Sequence, residues 1–412
     1  MSELLPERFQ PETVLTRTAA AASALPGRLL YATSSGIGGT GLDSTALEGV
    51  RASHRAGFLQ RAICYGVGTQ ELTRQQLRSL QWHPVRALSF LNSEEYYGAK
   101  KRYVDQVAAR DLRRGSYDFF HGWSGDCFHT LIEARLKNVP TVMDIPTWHR
   151  NKGASKRGET QSEREARLSQ PAWGDWHRDL PIGRARMIAE YDLADVILVP
   201  SRKSAATFLA AGVPEEKLWY VARGVDPERY SPGAPPEKLR FIFAGALIKR
   251  KGVHHLLEAW QKLNLRDAEL VLVGSLHHEI KPALRAAGSS VRHLGFSSRL
   301  QDELRASSAF VFPSECEGFA KVTIEAAACA LPIITTAESG DAVVHGHNGL
   351  IIPPNDVGAL CAALEHFATH RNELAAMGQR GRERVLNCLT WDHYRQRLLQ
   401  GYAWARAGVP RR

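Results

Sequence analysis

Two carboxylates stand eight residues apart, Glu317 and Glu325, in the segment FVFPSECEGFAKVTIEAAACALPIITT (residues 310–336). The apolar runs at its two ends read as buried strands, and the stretch between them as a Gly-broken turn followed by a helix. Glu317 then falls in a loop at the carboxyl end of a strand, and Glu325 on the helix that follows. Open α/β sheets bind ligands at that edge. A loop running into a helix also presents backbone N–H groups, here those of Gly318, Phe319 and Ala320, which suit phosphate or sugar oxygens. An ionised glutamate only accepts hydrogen bonds, so it complements a cluster of hydroxyl donors. Two acceptors beside such a cradle describe a nucleotide-sugar site.

A second constellation lies in FAGALIKRKGVHHLLEAW (residues 243–260), where an apolar strand ends at Gly245 and Lys249, Arg250 and Lys251 precede Gly252 at the start of an amphipathic helix. Cations at a helix N-terminus oppose the macrodipole by roughly 0.3–1 kcal/mol each. A bound anion reverses that penalty, so the pattern points to a pyrophosphate site. Arg250 can hold phosphate oxygens bidentately.

The order Pro-Ser, Glu-Gly-Phe, Glu-Ala, then a small residue and Pro before an apolar strand resembles the donor-site signature of retaining glycosyltransferases of the GT-B fold, in the large family four of group 1 type. The resemblance covers roughly residues 28–397 and is strongest from residue 189 onward. It implies that Glu317 and the backbone of Gly318, Phe319 and Ala320 meet the transferred sugar. Glu325 would accept from the ribose diol, and Lys251 would stabilise the departing diphosphate. Many members carry arginine directly after the first glycine of the Lys-Gly motif, where this chain has Ala246. The second diphosphate cation is then Arg250 or Lys249, or is absent; Arg250 is the choice made here. The base is expected against backbone near Gly295 and Phe296. His121 matches a histidine ending a strand at the reaction cleft, a catalytic candidate beside Glu317 and Lys251, and His149 matches the end of the next strand, at the acceptor side.

The elements that must position these groups alternate strand and helix along the whole chain, which predicts an α/β protein of two Rossmann-like doubly wound domains facing a central cleft. A weakly ordered arm is expected over residues 1–26, an acceptor domain over 27–226 and a donor domain over 227–390. The family resemblance returns a last helix, 391–407, to the first domain. The opening unit, RLLYAT followed by SSGIGGTGLDSTALEGV, reads as strand, Gly-rich turn and helix, with Gly38 and Gly39 allowing close backbone approach to a donor. Its glycines do not fit G-x-G-x-x-G. The polar, aperiodic run at residues 150–179 reads as a mobile acceptor loop.

Composition narrows the class. A chain of 412 residues suits two domains, no apolar run is long enough to cross a bilayer, and six scattered cysteines without a C-x-x-C pair favour a reduced, cytoplasmic setting without structural zinc. The formal charge is +10, and residues 51–114 carry 12 Lys or Arg against 5 Asp or Glu. That basic stretch suits an anionic membrane surface, at the inner face, or a phosphorylated acceptor; nucleic acid is not expected, because aromatics are not interleaved as stacking platforms.

The expected activity is metal-independent transfer from a nucleotide-diphospho-sugar donor to an unidentified hydroxyl acceptor, with no cofactor and no D-x-D metal pair. Two alternatives stay open. One is a nucleotide-sugar epimerase on the same fold, recruiting His121, His149 and Glu317 as acid/base groups. The other is a non-catalytic nucleotide-sugar binder, suggested by Ala246.

Overall fold

A computed structural model describes residues 9, 11, 27–82, 84–90, 93–150, 182–234 and 236–408. The expected N-terminal arm, apart from Phe9 and Pro11, and nearly all of the expected acceptor loop lie outside the described residues. The described residues form two compact units. One runs to Pro200 and takes in Ser204–Val221 and everything from Arg395 onward; the other comprises Ser201–Lys203 and Ala222–Tyr394.

In chain order the first unit contains β1 (Leu29–Ala32), β2 (Gly36–Ile37), β3 (Leu59–Cys64), β4 (Gly66–Val67), β5 (Leu77–Ser79), β6 (Phe119–Trp123), β7 (Thr141–Asp144), β8 (Val196–Val199) and β9 (Leu218–Tyr220). Seven of them build one sheet in the order β5-β3-β1-β6-β7-β8-β9, and β2 pairs with β4 beside it. Every neighbouring pair is parallel. Parallel neighbours require crossover connections, and helices supply most of them, while β3 and β5 are joined by residues 65–76 without one. Strands covered on both faces read as unbroken apolar runs, as LLYA and VILV do here, with every residue buried.

The second unit contains β10 (Leu239–Ala244), β11 (Ala268–Val273), β12 (Val291–Gly295), β13 (Ala309–Phe312), β14 (Ile333–Thr336) and β15 (Gly349–Ile352). They form one parallel sheet in the order β12-β11-β10-β13-β14-β15. The chain winds one way from β10 to β12 and the other way from β13 to β15, so the winding reverses between β10 and β13. Each unit is therefore a doubly wound, Rossmann-like α/β domain. Phe241 stands opposite Ala309 and Ile242 opposite Phe310, which brings the chain out of the two central strands at one level, at Gly245 and Pro313.

No helix among the described residues is long and apolar enough to cross a membrane. The last helix, Trp391–Gly408, buries Tyr394, Leu398 and Tyr402 completely.

Candidate functional site

The reversal between β10 and β13 lies at the carboxyl edge of the second sheet, where such folds bind ligands, and the two sequence constellations meet there. After β10 the chain makes a single 3-10 turn, Lys249–Lys251, and enters the helix Val253–Leu263 through Gly252. Gly252 has φ of +70°, and a Cβ on it would come within 2.0 Å of the Pro313 carbonyl oxygen. Only glycine allows the turn to pass so close to the loop after β13. The contact is fastened by Glu315 N–H donating to the Arg250 carbonyl (2.9 Å) and by the Ser314 hydroxyl donating to the same oxygen (3.2 Å). Gly245 gives a second clearance: a Cβ there would meet Lys251 Nζ at 3.1 Å. The ammonium also lies 5.1 Å from the centre of the Phe312 ring, a cation–π contact.

Glu317 is where the charges converge. Its Oε1 accepts from Arg250 Nη1 at 3.0 Å and from the Ser314 hydroxyl at 3.2 Å, and it lies 3.6 Å from Lys251 Nζ. Arg250 also donates to the Cys316 carbonyl. Two cations against one carboxylate leave a net positive locus, and the Arg250 side chain remains about half exposed. The backbone N–H groups of Gly318 and Phe319 have no acceptor among the described residues, although both residues are buried. Buried donors of that kind favour an anion or a sugar oxygen.

Ala320 corrects the expected cradle. Its N–H donates to the Ser339 carbonyl at 2.8 Å, as Glu317 N–H does to the Glu338 carbonyl at 3.1 Å. Of the three N–H groups, those of Gly318 and Phe319 are then the ones left for a ligand, and Ala320 stands at the N-cap position of the helix Lys321–Ala328.

Glu325 sits on that helix. Burial pushes its carboxyl up, while Lys321, Arg229 and the nearby Tyr230 hydroxyl act the other way. The Tyr230 phenol is likewise pushed up by burial, with the Glu325 charge adding to it. Tyr230 was not singled out from sequence, because it stands in the proline-rich segment PERYSPGAPPEK (residues 227–238). Its signal was an aromatic residue in a stretch otherwise composed of turn formers. Phe296, next to the expected base site, is exposed, whereas the Gly295 carbonyl accepts from Gly274 N–H at 2.7 Å. That leaves the Phe296 ring, rather than the Gly295 oxygen, open to a base.

In the first unit the expected site residues are placed differently. The strand β6 runs on to Trp123, so His121 is a mid-strand residue and not a strand end. It is completely buried, its Nδ1 lies 2.7 Å from the Tyr402 hydroxyl, and its ring packs 4.4 Å from that of Tyr31. His149 is also interior, between the rings of Tyr191 and Phe208 at 4.9 Å each, and burial pulls its imidazole down to about 4. Both histidines are buried in the interior of the first unit. Gly38 and Gly39 have φ of +116° and +89°. Gly38 is buried, and a Cβ on it would meet the Gly68 backbone at 2.9 Å, so its need for glycine comes from packing of β2 on β4. Gly39 is exposed and keeps its backbone accessible.

Against known proteins, residues 238–370 match the family described as Glycosyl transferases group 1. The chain is 30% identical over 324 residues to the MMP alpha-(1->4)-mannosyltransferase of Mycolicibacterium hassiacum, covering 73% of this chain and 74% of that protein. It is 27% identical over 250 residues to a GDP-mannose-dependent alpha-(1-6)-phosphatidylinositol monomannoside mannosyltransferase of Mycolicibacterium smegmatis, covering 54% of this chain and 65% of the relative. Among solved structures, Anabaena HepE in complex with UDP and glucose superposes with a TM-score of 0.62 at 16% identity, over 91% of this chain and 99% of that one. A likeness at that identity bears on the fold, which is the GT-B fold in its two-domain composition.

Proposed function

The chain belongs to the group 1 glycosyl transferases, and from that premise we propose that it moves a hexose from a nucleoside-diphospho-sugar to a hydroxyl acceptor, with retention at the anomeric carbon and without a catalytic metal. The observation that carries this reading is the convergence of Arg250 and Lys251 on Glu317 at the reversal between β10 and β13. In the unliganded chain the carboxylate holds both cations in place. A diphosphate entering the turn takes over those cations, and Glu317 is released to accept from sugar hydroxyls. Charge that builds on the leaving diphosphate is met by Lys251, Arg250 and the N–H groups of Gly318 and Phe319, a preorganised electrostatic arrangement. Glu325 accepts from the ribose diol, with Tyr230 fixing its orientation. The acceptor proton passes to a donor phosphate oxygen, so no protein base is needed.

Catalysis in this reading rests on the second unit. His121 and His149, the groups an epimerase would have recruited, lie in the interior of the first. A relative named for GDP-mannose supports that donor as the first candidate, with UDP-glucose as the comparison. Calorimetric titration with GDP, UDP and ADP and with the two sugar nucleotides, without added metal, tests the site. One nucleotide series should bind, and Lys251→Ala should weaken it at least about tenfold, the loss of one charge-assisted contact. Failure of all three nucleotides to bind would overturn the donor site. Proton NMR of the product linkage tests retention.

The first unit adds a proposed membrane role. Trp82 and Phe90 expose 81% and 79% of their surface within the basic segment 51–114. Exposed aromatic rings among lysines and arginines suit the headgroup region of an anionic bilayer.

A further inference from the structure

His254 and His255, in the first turn of the helix after Gly252, turn their rings to one side. Their centroids are 3.8 Å apart and inclined by 36°. Glu315, in the loop after β13, faces them, and one ligand-capable atom from each of the three residues lies within 4.8 Å of the others. All three side chains are half-buried. The Nδ1 atoms of both histidines are buried without a hydrogen-bond partner among the described residues. Two orphaned imidazole nitrogens beside a half-buried carboxylate are costly unless something joins them.

We propose that His254, His255 and Glu315 form a binding site for a divalent transition-metal ion of the zinc class, which ties the Lys249–Gly252 turn to the loop carrying Glu317. Two imidazoles and a carboxylate are a familiar ligand set for such an ion, with water completing the shell. Ligand atoms on a tetrahedral ion at bond lengths of about 2.0–2.2 Å stand roughly 3.3–3.6 Å apart, so side-chain shifts of about 1 Å close the site. Lys249 and Arg250 act on His254 and Glu315 as nearby cations, a repulsion that the ligand bonds must exceed. Burial and the neighbouring His255 hold the His254 imidazole down, in the neutral form that binds metal. Burial pushes the Glu315 carboxyl up, and a nearby dication offsets the cost of its charge. The ion is separate from the transfer chemistry: it holds the two loops that carry Lys251 and Glu317 without touching the donor. Cysteine and histidine spacing along the chain did not reveal it, because the third ligand lies 60 residues from the second.

The test is titration of the chelator-stripped full chain with Co2+, followed by visible absorption, with Zn2+ competition and thermal melts alongside. One equivalent of Co2+ should give d–d bands that Zn2+ abolishes, and Zn2+ should raise the melting temperature. Glu315→Gln and His255→Gln should each weaken binding by at least about tenfold. Their melts in chelator, compared with the parent chain, separate lost ligation from lost folding. No Co2+ or Zn2+ binding at millimolar ion would overturn the site. So would binding unchanged in both variants, which would place the ion on another group such as His277 and Glu279. Nucleotide affinity is read separately in chelator, so failure of the metal site and failure of the donor site are distinguishable.

Discussion

Tyr230, in the segment just before β10, and Glu325, on the helix Lys321–Ala328, lie near enough across 95 residues of chain for each to shift the other's proton affinity. The pair sets a conflict between stability and binding, since a buried carboxylate suits ribose hydroxyls but costs desolvation in their absence. Burial places the folded-state value of Glu325 above its ordinary 4.5. The folded chain then holds this proton more tightly than the unfolded chain. The associated stability is fully present below the unfolded value and is lost as pH rises through the folded one. Glu325→Gln removes that loss. The variant should melt at least as high as the parent at pH 8 while binding nucleotide more weakly by about 1–3 kcal/mol. Melting curves across pH 4–9 with calorimetry check both halves; a lower melting point at pH 8 would mean the carboxylate is not under desolvation stress.

Lys251→Ala and Arg250→Ala should separate the two cations. Lys251 is mostly covered and packs on Phe312, whereas Arg250 is about half exposed. Charges shielded from solvent act more strongly and are screened less by salt. The nucleotide-affinity loss for Lys251→Ala should therefore exceed that for Arg250→Ala and persist when salt is raised. Equal losses that both vanish at high salt would move the diphosphate away from Lys251.

The strands of the second sheet were legible because two-sided burial writes them as apolar runs such as FIFA, LVLV and AFVF, and the same patterning marks where Glu317 and Gly252 must emerge. Less legible was anything decided by distant chain. The Ala320 N–H is taken by Ser339, a backbone partner that leaves no trace in residue type. Tyr230 stands among prolines at residues 227–238, and the group it influences, Glu325, lies on another element. His121, which resemblance matches to a strand-ending histidine, stands in the middle of β6, and a mid-strand position on a central parallel strand is buried. The His254–Glu315 approach depends on Gly252 letting two loops touch, which no local pattern encodes.

Backbone conformation gives predictions of opposite sign at two positions. Gly252→Ala meets both the left-handed φ and the Pro313 carbonyl at 2.0 Å, so it should destabilise by well over the roughly 1–2 kcal/mol of the conformation alone. Ala330 already occupies the left-handed region at φ of 58°. Ala330→Gly relieves that strain and should stabilise by up to about 1 kcal/mol, offset in part by unfolded-state entropy. Denaturant titrations of the two variants compare them directly; a loss of stability in Ala330→Gly would show that its methyl packs more than its backbone strains.

His121→Ala should behave as a core deletion. It leaves a cavity against Tyr31 and removes the neighbour of the Tyr402 hydroxyl, which also meets the Ser53 hydroxyl at 3.5 Å. A loss of about 2–4 kcal/mol in stability is expected, with nucleotide affinity unchanged below the melting transition. A selective fall in kcat with stability intact would restore a catalytic role to this residue.

Peripheral membrane binding, if it rests on Trp82 and Phe90 within a basic surface, has a two-part signature. Electrostatic attraction to an anionic surface falls off within a Debye length of about 8 Å at physiological salt, whereas insertion of an aromatic ring resists salt. Vesicles of phosphatidylglycerol and phosphatidylcholine should therefore co-sediment the chain at low ionic strength, and most of that binding should be lost without the anionic lipid. Trp82→Ala with Phe90→Ala should remove the portion that survives at high salt while leaving the salt-sensitive portion in place. Equal binding to purely zwitterionic vesicles would point to a hydrophobic contact elsewhere, and no sedimentation with either lipid would assign the basic segment to solvent or to a phosphorylated acceptor instead.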